Sequence, residues 1–282
     1  MLPSLFPATV VRRPALTNKS PYVCDVLVNE KGLLCHSPGL GCSGLVAAGR
    51  RIWVSRNTST TTKTRCTAQI AECMDSEGSY TVGIHPMTSQ NNAMGLLDRL
   101  GLGSAISWKS EVVVADHTRI DFVGTDRDSR KVYVEVKTAM ISHQLEKPRA
   151  TRCAVFPEGF RKKKDEPVSS SRKTRGTEGL ACAKSLSPRA VKHAEVLADL
   201  ATRPDTRAAI LLFVVPRSDC GGGLEINSTD RVYSMAIDAA LRAGVVVRVF
   251  ELVYAVDGSV VAGRELPLFL PFCTTSHIRK RQ

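Results

Sequence analysis

The chain has 282 residues, room for two domains, and its 43% apolar content is enough to bury a core in each. No apolar run approaches the ~20 residues that a membrane helix needs; the longest, AAILLFVV at 208–215, has the length of a strand. The net charge of +12 points to a polyanionic partner, because the excess is concentrated: nine Lys/Arg stand against Asp25 and Glu30 in 1–70, and eight against four acids in 158–186.

Nine cysteines without a C-x-x-C pair read as reduced thiols of an intracellular, soluble protein, and Cys35/Cys42 and Cys66/Cys73 do not have a zinc spacing. Pro3, Pro7 and Pro14 interrupt the amphipathic helix that a transit peptide needs, although Arg12 and Arg13 precede any acid. Cytoplasmic, nuclear and organellar locations all stay open.

In chain order, 22–28 (YVCDVLV), 33–36 and 51–56 (RIWVSR) read as short strands separated by glycine turns. Short strands without a long helix suggest a small OB-like β-barrel over 1–85. From 86 the pattern changes. NNAMGLLDRLG (91–101) has helical spacing and a glycine stop, and SEVVVA (110–115) is a strand. A hairpin follows in TRIDFVGTDRDSRKVYVEVKT (118–138). SPRAVKHAEVLADLA (187–201) begins with an N-cap serine and a first-turn proline. RAAILLFVVPR (207–217) is a strand covered on both faces, DRVYSMAIDAALRAG (230–244) a helix, and VVVRVFELVYA (245–255) a strand. The order predicts an α/β domain over 86–282, a mixed sheet flanked by helices. The charged segment 158–186 reads as a flexible basic insertion within it.

The hairpin carries the chemistry. Side chains alternate along a strand, so Tyr133, Glu135 and Lys137 share one face and Val132, Val134 and Val136 the other. On the first arm Asp121 faces with Val123, opposite Ile120 and Phe122. A turn centred near 128 sets Asp121 across from Glu135. Like charges directly opposed are destabilising, and a divalent cation resolves the conflict. Mg²⁺, or Mn²⁺, takes one or two carboxylates plus water and substrate phosphate. Asp121, Glu135 and the Val136 carbonyl would supply the protein ligands. Lys137 would point at a phosphate or the attacking water, which is chemistry for phosphodiester cleavage. The same pattern also fits a solvated strand face with Glu135 and Lys137 paired.

The run TRIDF, VYVEVKTAMIS, AVFPEG, RAVKHAEVL, LLFVVPR and DRVYSMAIDAALRAGV resembles the sugar fermentation stimulation protein A family. So does the N-terminal RRPALTNKSPYVCDVLV…LLCHSPG…GLVAAGRRIWV, so the likeness spans roughly 11–255. It implies an OB-like N-terminal domain, a C-terminal domain of the PD-(D/E)XK nuclease type and DNA binding. By position it marks Asp121, Glu135 and Lys137 as the site, and adds Glu111 as a further metal ligand. It also sets Arg189, Lys192 and His193 on a helix beside the site; their i, i+3, i+4 spacing puts them on one helical face.

The resulting expectation is a DNA-binding protein with a nuclease-like core and a Mg²⁺-dependent hydrolase site. Arg12, Arg13, Arg50, Arg51, Arg56, Lys63 and Arg65 would track phosphates, with Tyr22 or Trp53 as stacking platforms. Two other readings fit the same residues: a non-catalytic DNA-binding regulator with a vestigial site, and a basic protein–protein adaptor.

Overall fold

A computed structural model of the chain describes residues 2–39, 42–59, 61–103, 106–115, 118–159 and 185–272. Most of the basic insertion and the basic C-terminal tail therefore lie outside the described residues. No helix among the described residues is long and apolar enough to cross a membrane.

The N-terminal part is one six-stranded sheet of β1 (Leu5–Arg12), β2 (Val23–Val28), β3 (Lys31–His36), β4 (Arg51–Arg56), β5 (Cys66–Asp75) and β6 (Gly78–Gly83), in the order β3-β2-β1-β4-β5-β6. It curls until β3 meets β5 in parallel at Cys35↔Cys66 and His36↔Thr67. Where the sequence predicts a barrel, the structure has a sheet that returns on itself through this two-residue ladder, with β6 continuing beyond it. Cys24, Cys35 and Cys66 are fully buried at the seam.

The second sheet has the order β14-β13-β11-β9-β8-β7, from β7 (Ser107–Ala115), β8 (Thr118–Thr125), β9 (Lys131–Thr138), β11 (Thr206–Val215), β13 (Val246–Tyr254) and β14 (Val260–Glu265). β9, β11 and β13 run parallel, and antiparallel partners flank them. A three-stranded parallel sheet of β10 (Cys153–Phe156), β12 (Gly223–Ile226) and β15 (Leu268–Phe269) stands beside it.

The apolar run of β11 is buried on both faces, as parallel central strands require. Leu211, Phe213 and Val215 pack with Leu197 and Leu200 of α2 (Pro188–Ala201) and Tyr233 and Ile237 of α3 (Arg231–Arg242). Ile210, Leu212 and Val214 pack on the opposite side with Leu96, Leu97 and Leu100. Those leucines belong to a 3-10 helix, Met94–Leu100, that continues α1 (Pro86–Ala93). The helix expected at 91–101 thus starts at Pro86, with His85 Nδ1 accepting from Thr88 N at 3.3 Å as its cap. Gly101 stops it at φ +73°, a conformation that favours glycine. Asp230 caps α3 by accepting from Tyr233 N at 3.0 Å, and its other oxygen accepts from Leu186 N, so one buried carboxylate fixes the entries of α2 and α3.

A buried ionic group joins the two sheets. Asp75, at the β5–β6 turn, accepts from Arg149 at 2.7 Å and from Arg152 at 2.8 Å. Arg152 also donates to Asp219 at 2.6 Å, and Arg217 donates to both Asp219 oxygens at 2.7 Å. Arg149, Arg152 and Arg217 each lie within 6.0 Å of the Tyr80 ring centre on β6.

Gly223, which opens β12, has φ +120°, and a Cβ there would come within 2.3 Å of the Pro267 carbonyl oxygen. Gly223→Ala should cost about 1–3 kcal/mol in a chemical denaturation experiment, because backbone, not a flexible side chain, would have to move.

Candidate active site

The β8–β9 ladder is in register at Thr125↔Lys131, Gly124↔Val132, Val123↔Tyr133 and Phe122↔Val134. One step further sets Asp121 opposite Glu135, and there the backbone pairing ends. The Val136 N–H donates instead to Asp121 Oδ2 at 2.7 Å, so a side chain replaces the carbonyl that a continuing strand would offer. Ile120 packs in the same core as Val123 and not with Phe122, so the strict alternation expected through Asp121 is broken at this point. Val132, Val134 and Val136 bury their side chains in the opposite layer. It is therefore the backbone of Val136 that faces the site.

The splayed strand ends open a cleft of about 420 Å³ at the carboxyl end of β9. Asp121, Glu135, Val136 and Lys137 line it, with Gln90 of α1 and Arg189 of α2. From the turns just before β2 and just after β3 come Tyr22, Pro38 and Gly39. The site thus lies between the two halves of the chain.

Glu135 is 1% exposed. Its Oε1 is held by Lys137 Nζ and by His193 Nδ1, and its Oε2 has no hydrogen-bond partner. Burial pushes this carboxyl up, but His193 and Lys137 outweigh it and hold it below the ordinary glutamate range. Asp121 goes the other way. Its burial, then the neighbouring Glu135 charge, raise it to about 7, against the opposing pull of the Val136 N–H and Lys137. Gln90 Nε2 donates to Asp121 Oδ1 at 2.6 Å and to Glu111 Oε1 at 2.9 Å. Glu111 itself is half exposed and paired with Arg119 at 3.1 Å, so it stands at the rim. Among the described residues no three His, Cys, Asp or Glu side chains form a metal-holding group.

The other sequence-predicted residues fall into three places. Arg12, Arg50, Arg51, Arg56, Lys63 and Arg65 are exposed on the N-terminal sheet, with Arg51 paired to Glu72 at 3.2 Å. Arg13 is turned inward, donating to the Pro21 and Gly39 carbonyls, which makes it a brace for the cleft rim. Trp53 is partly buried against the core between the sheets and donates to Glu72 at 3.1 Å, so its ring is no open platform. On α2, Arg189 and Lys192 are exposed. His193, grouped with them by the sequence reading, is 5% exposed and meets Glu135 instead. The buried stripe of this helix is Ala190, His193, Ala194, Leu197 and Leu200, a regular helical spacing that a polar residue conceals.

Gln90 and Glu158 are polar cleft residues that escape sequence reading. Gln90 sits in TSQNNA with no local signal. Glu158 lines the same cleft; burial raises its carboxyl to about 7, and no cation among the described residues pairs with it. Its turn is pinned by Asn227, whose Nδ2 donates to the Pro157 and Gly159 carbonyls at 3.0 and 2.8 Å.

Fold and cleft together define a class: a curled β-sheet part followed by a mixed α/β part, with opposed carboxylates and a lysine on a central hairpin where the two meet. A family model described as "Sugar fermentation stimulation protein RE domain" matches residues 184–258. A sugar fermentation stimulation protein homolog of Dinoroseobacter shibae is 26% identical over 94% of this chain and 93% of its own length. One from Sinorhizobium medicae is 27% identical over 86% and 85%. The solved structure of Pyrococcus furiosus SfsA in complex with Ca²⁺ has a TM-score of 0.67 at 20% identity, over 95% of this chain and 97% of that one. The chain is thus similar to sugar fermentation stimulation proteins along most of its length.

Proposed function

We propose that the chain binds nucleic acid, most simply DNA, and that its cleft holds Mg²⁺ or Mn²⁺ to hydrolyse a phosphodiester bond. The observation that carries this reading is Glu135: a buried carboxylate, one oxygen tied by a lysine and a histidine, the other left without a partner beside Asp121. A buried carboxylate oxygen without a hydrogen-bond partner is costly unless a ligand satisfies it. The residues fit a cation that keeps most of its water, since two carboxylates and a backbone carbonyl are what Mg²⁺ commonly takes from a protein. Asp121, Glu135 and the Val136 carbonyl would hold it. When bound, it would supply charge to the phosphoryl oxygen and lower the pKa of a bound water.

The chain's own groups do the rest. His193 and Lys137 hold Oε1 of Glu135 and favour its ionised form, which leaves the buried Oε2 free for a ligand. The Val136 N–H and Gln90 hold the Asp121 carboxyl in place. Lys137 and Arg189 offer positive charge to a phosphate at the cleft. The exposed arginines and lysines of the N-terminal sheet extend that charge along a backbone, which favours weakly sequence-selective binding. The Ca²⁺ bound by the Pyrococcus protein supports the reading, because Ca²⁺ takes the same hard oxygen ligands.

The test is nicking of plasmid DNA with Mg²⁺ or Mn²⁺. Asp121→Ala and Glu135→Ala should each lower the rate by about 10²-fold or more, the scale on which transition-state charge stabilisation is lost. Activity that survived both changes would overturn the site. Salt-sensitive DNA binding without any nicking would favour the non-catalytic regulator.

A further inference from the structure

The same cleft carries a feature that phosphate chemistry does not need. Tyr22 is 38% exposed and lines it together with Asp121, Glu135 and Lys137. Its backbone is held from several sides. Ser37 N donates to the Tyr22 carbonyl at 2.8 Å, Ser20 Oγ accepts from Tyr22 N at 3.3 Å, and Arg13 grips the carbonyls of Pro21 and of Gly39. A part-exposed aromatic ring on a turn fixed in this way is a preorganised platform. Apolar surface from Pro38, Pro86 and Met140 lines the cleft as well, while its charged groups are the carboxylates, Lys137 and Arg189. One cavity thus offers a flat ring and apolar walls for a base and cationic groups for the adjoining phosphate.

Size and stacking then choose between strand forms. At about 420 Å³ the cavity lies near the small end of the range for ligand pockets, room for a nucleotide unit. A base inside a duplex is already stacked on both faces, so it can reach a ring in a cavity only by being extruded. An unpaired base needs no such step, and stacking on an aromatic side chain tolerates any base.

Resting on the nucleic-acid reading proposed above, we infer that the cleft takes single-stranded nucleic acid, one base stacked on Tyr22 while the neighbouring phosphate meets Lys137 and Arg189. Glu158 lines the same cavity, and its carboxylate can accept from the base's N–H groups. Arg13 acts here as a positioning residue for the ring and not as a phosphate contact.

The experiment uses the full chain with Ca²⁺ and a short oligonucleotide carrying 2-aminopurine at internal positions, free and in a blunt duplex. Anisotropy gives affinity; quenching of 2-aminopurine reports stacking. The single strand should bind roughly tenfold or more tightly than the duplex, with its fluorescence quenched on binding. Tyr22→Ala should weaken single-strand binding about tenfold and abolish the quenching, Tyr22→Phe should retain both, and duplex binding should not respond to either. Tyr22→Ala binding and quenching like the unaltered protein, or a duplex bound as tightly as the single strand, would overturn the inference alone. Absence of salt-sensitive binding to either form would overturn the nucleic-acid reading with it.

Discussion

Asp219→Ala should destabilise the protein by about 3–5 kcal/mol, the cost of removing one partner from a buried ion pair. Asp219 is fully buried and accepts from Arg152 and from both arms of Arg217. Burial alone would raise its carboxyl, but the two guanidinium groups overcome that and hold it below the ordinary range. Without it, Arg217, 2% exposed, would lose both of its carboxylate contacts, and Arg152 would be left with Asp75, which Arg149 already shares. Urea unfolding followed by tryptophan fluorescence measures the loss. Asp75 and Tyr80 belong to the first sheet and Arg152, Arg217 and Asp219 to the second part, so the midpoint should fall while the shared core around Ile70, Phe122 and Tyr254 keeps a single transition. A single transition at unchanged midpoint would show that the group does not hold them together.

The second large effect is a pH dependence centred on Asp121. Its carboxyl is raised from 3.8 to about 7 by burial and by Glu135. For an acid raised in the folded state, the stabilising contribution is complete below the unfolded value and is lost as pH rises through the folded one. The cation-free protein should therefore lose stability relative to Asp121→Asn between pH 4 and 7, at up to about 1.4 kcal/mol per pH unit, and the difference should level off above 7. A cation would have to displace this proton. Affinity for Mn²⁺, read by calorimetry, should accordingly rise about tenfold per unit up to pH 7 and then become flat. A flat profile from pH 5 upward would show that Asp121 is already ionised in the folded protein.

Much of the second sheet and its helices is readable from local pattern. The β11 run and the glycine stop at Gly101 follow from burial period and backbone freedom, which neighbours in sequence decide. The first sheet was harder to read, because β5 buries Gln69, satisfied by Ser55 at 3.0 Å, and so lacks a clean alternation. β10, β12 and β15 have four, four and two residues, too short for a periodic signal.

The sequence by itself determined the opposition of Asp121 and Glu135, because strand parity and the length of one turn suffice to set it. It also determined Lys137's place on the Glu135 face and the charge that suits a polyanion. Only the tertiary structure decided that His193 turns inward to Glu135, that Gln90 bridges Asp121 and Glu111, and that Tyr22 and Glu158 share the cleft. Periodicity states which residues lie on one face of an element. Which faces then meet depends on packing between segments distant along the chain, where the burial of a whole apolar stripe outweighs the preference of any single polar side chain.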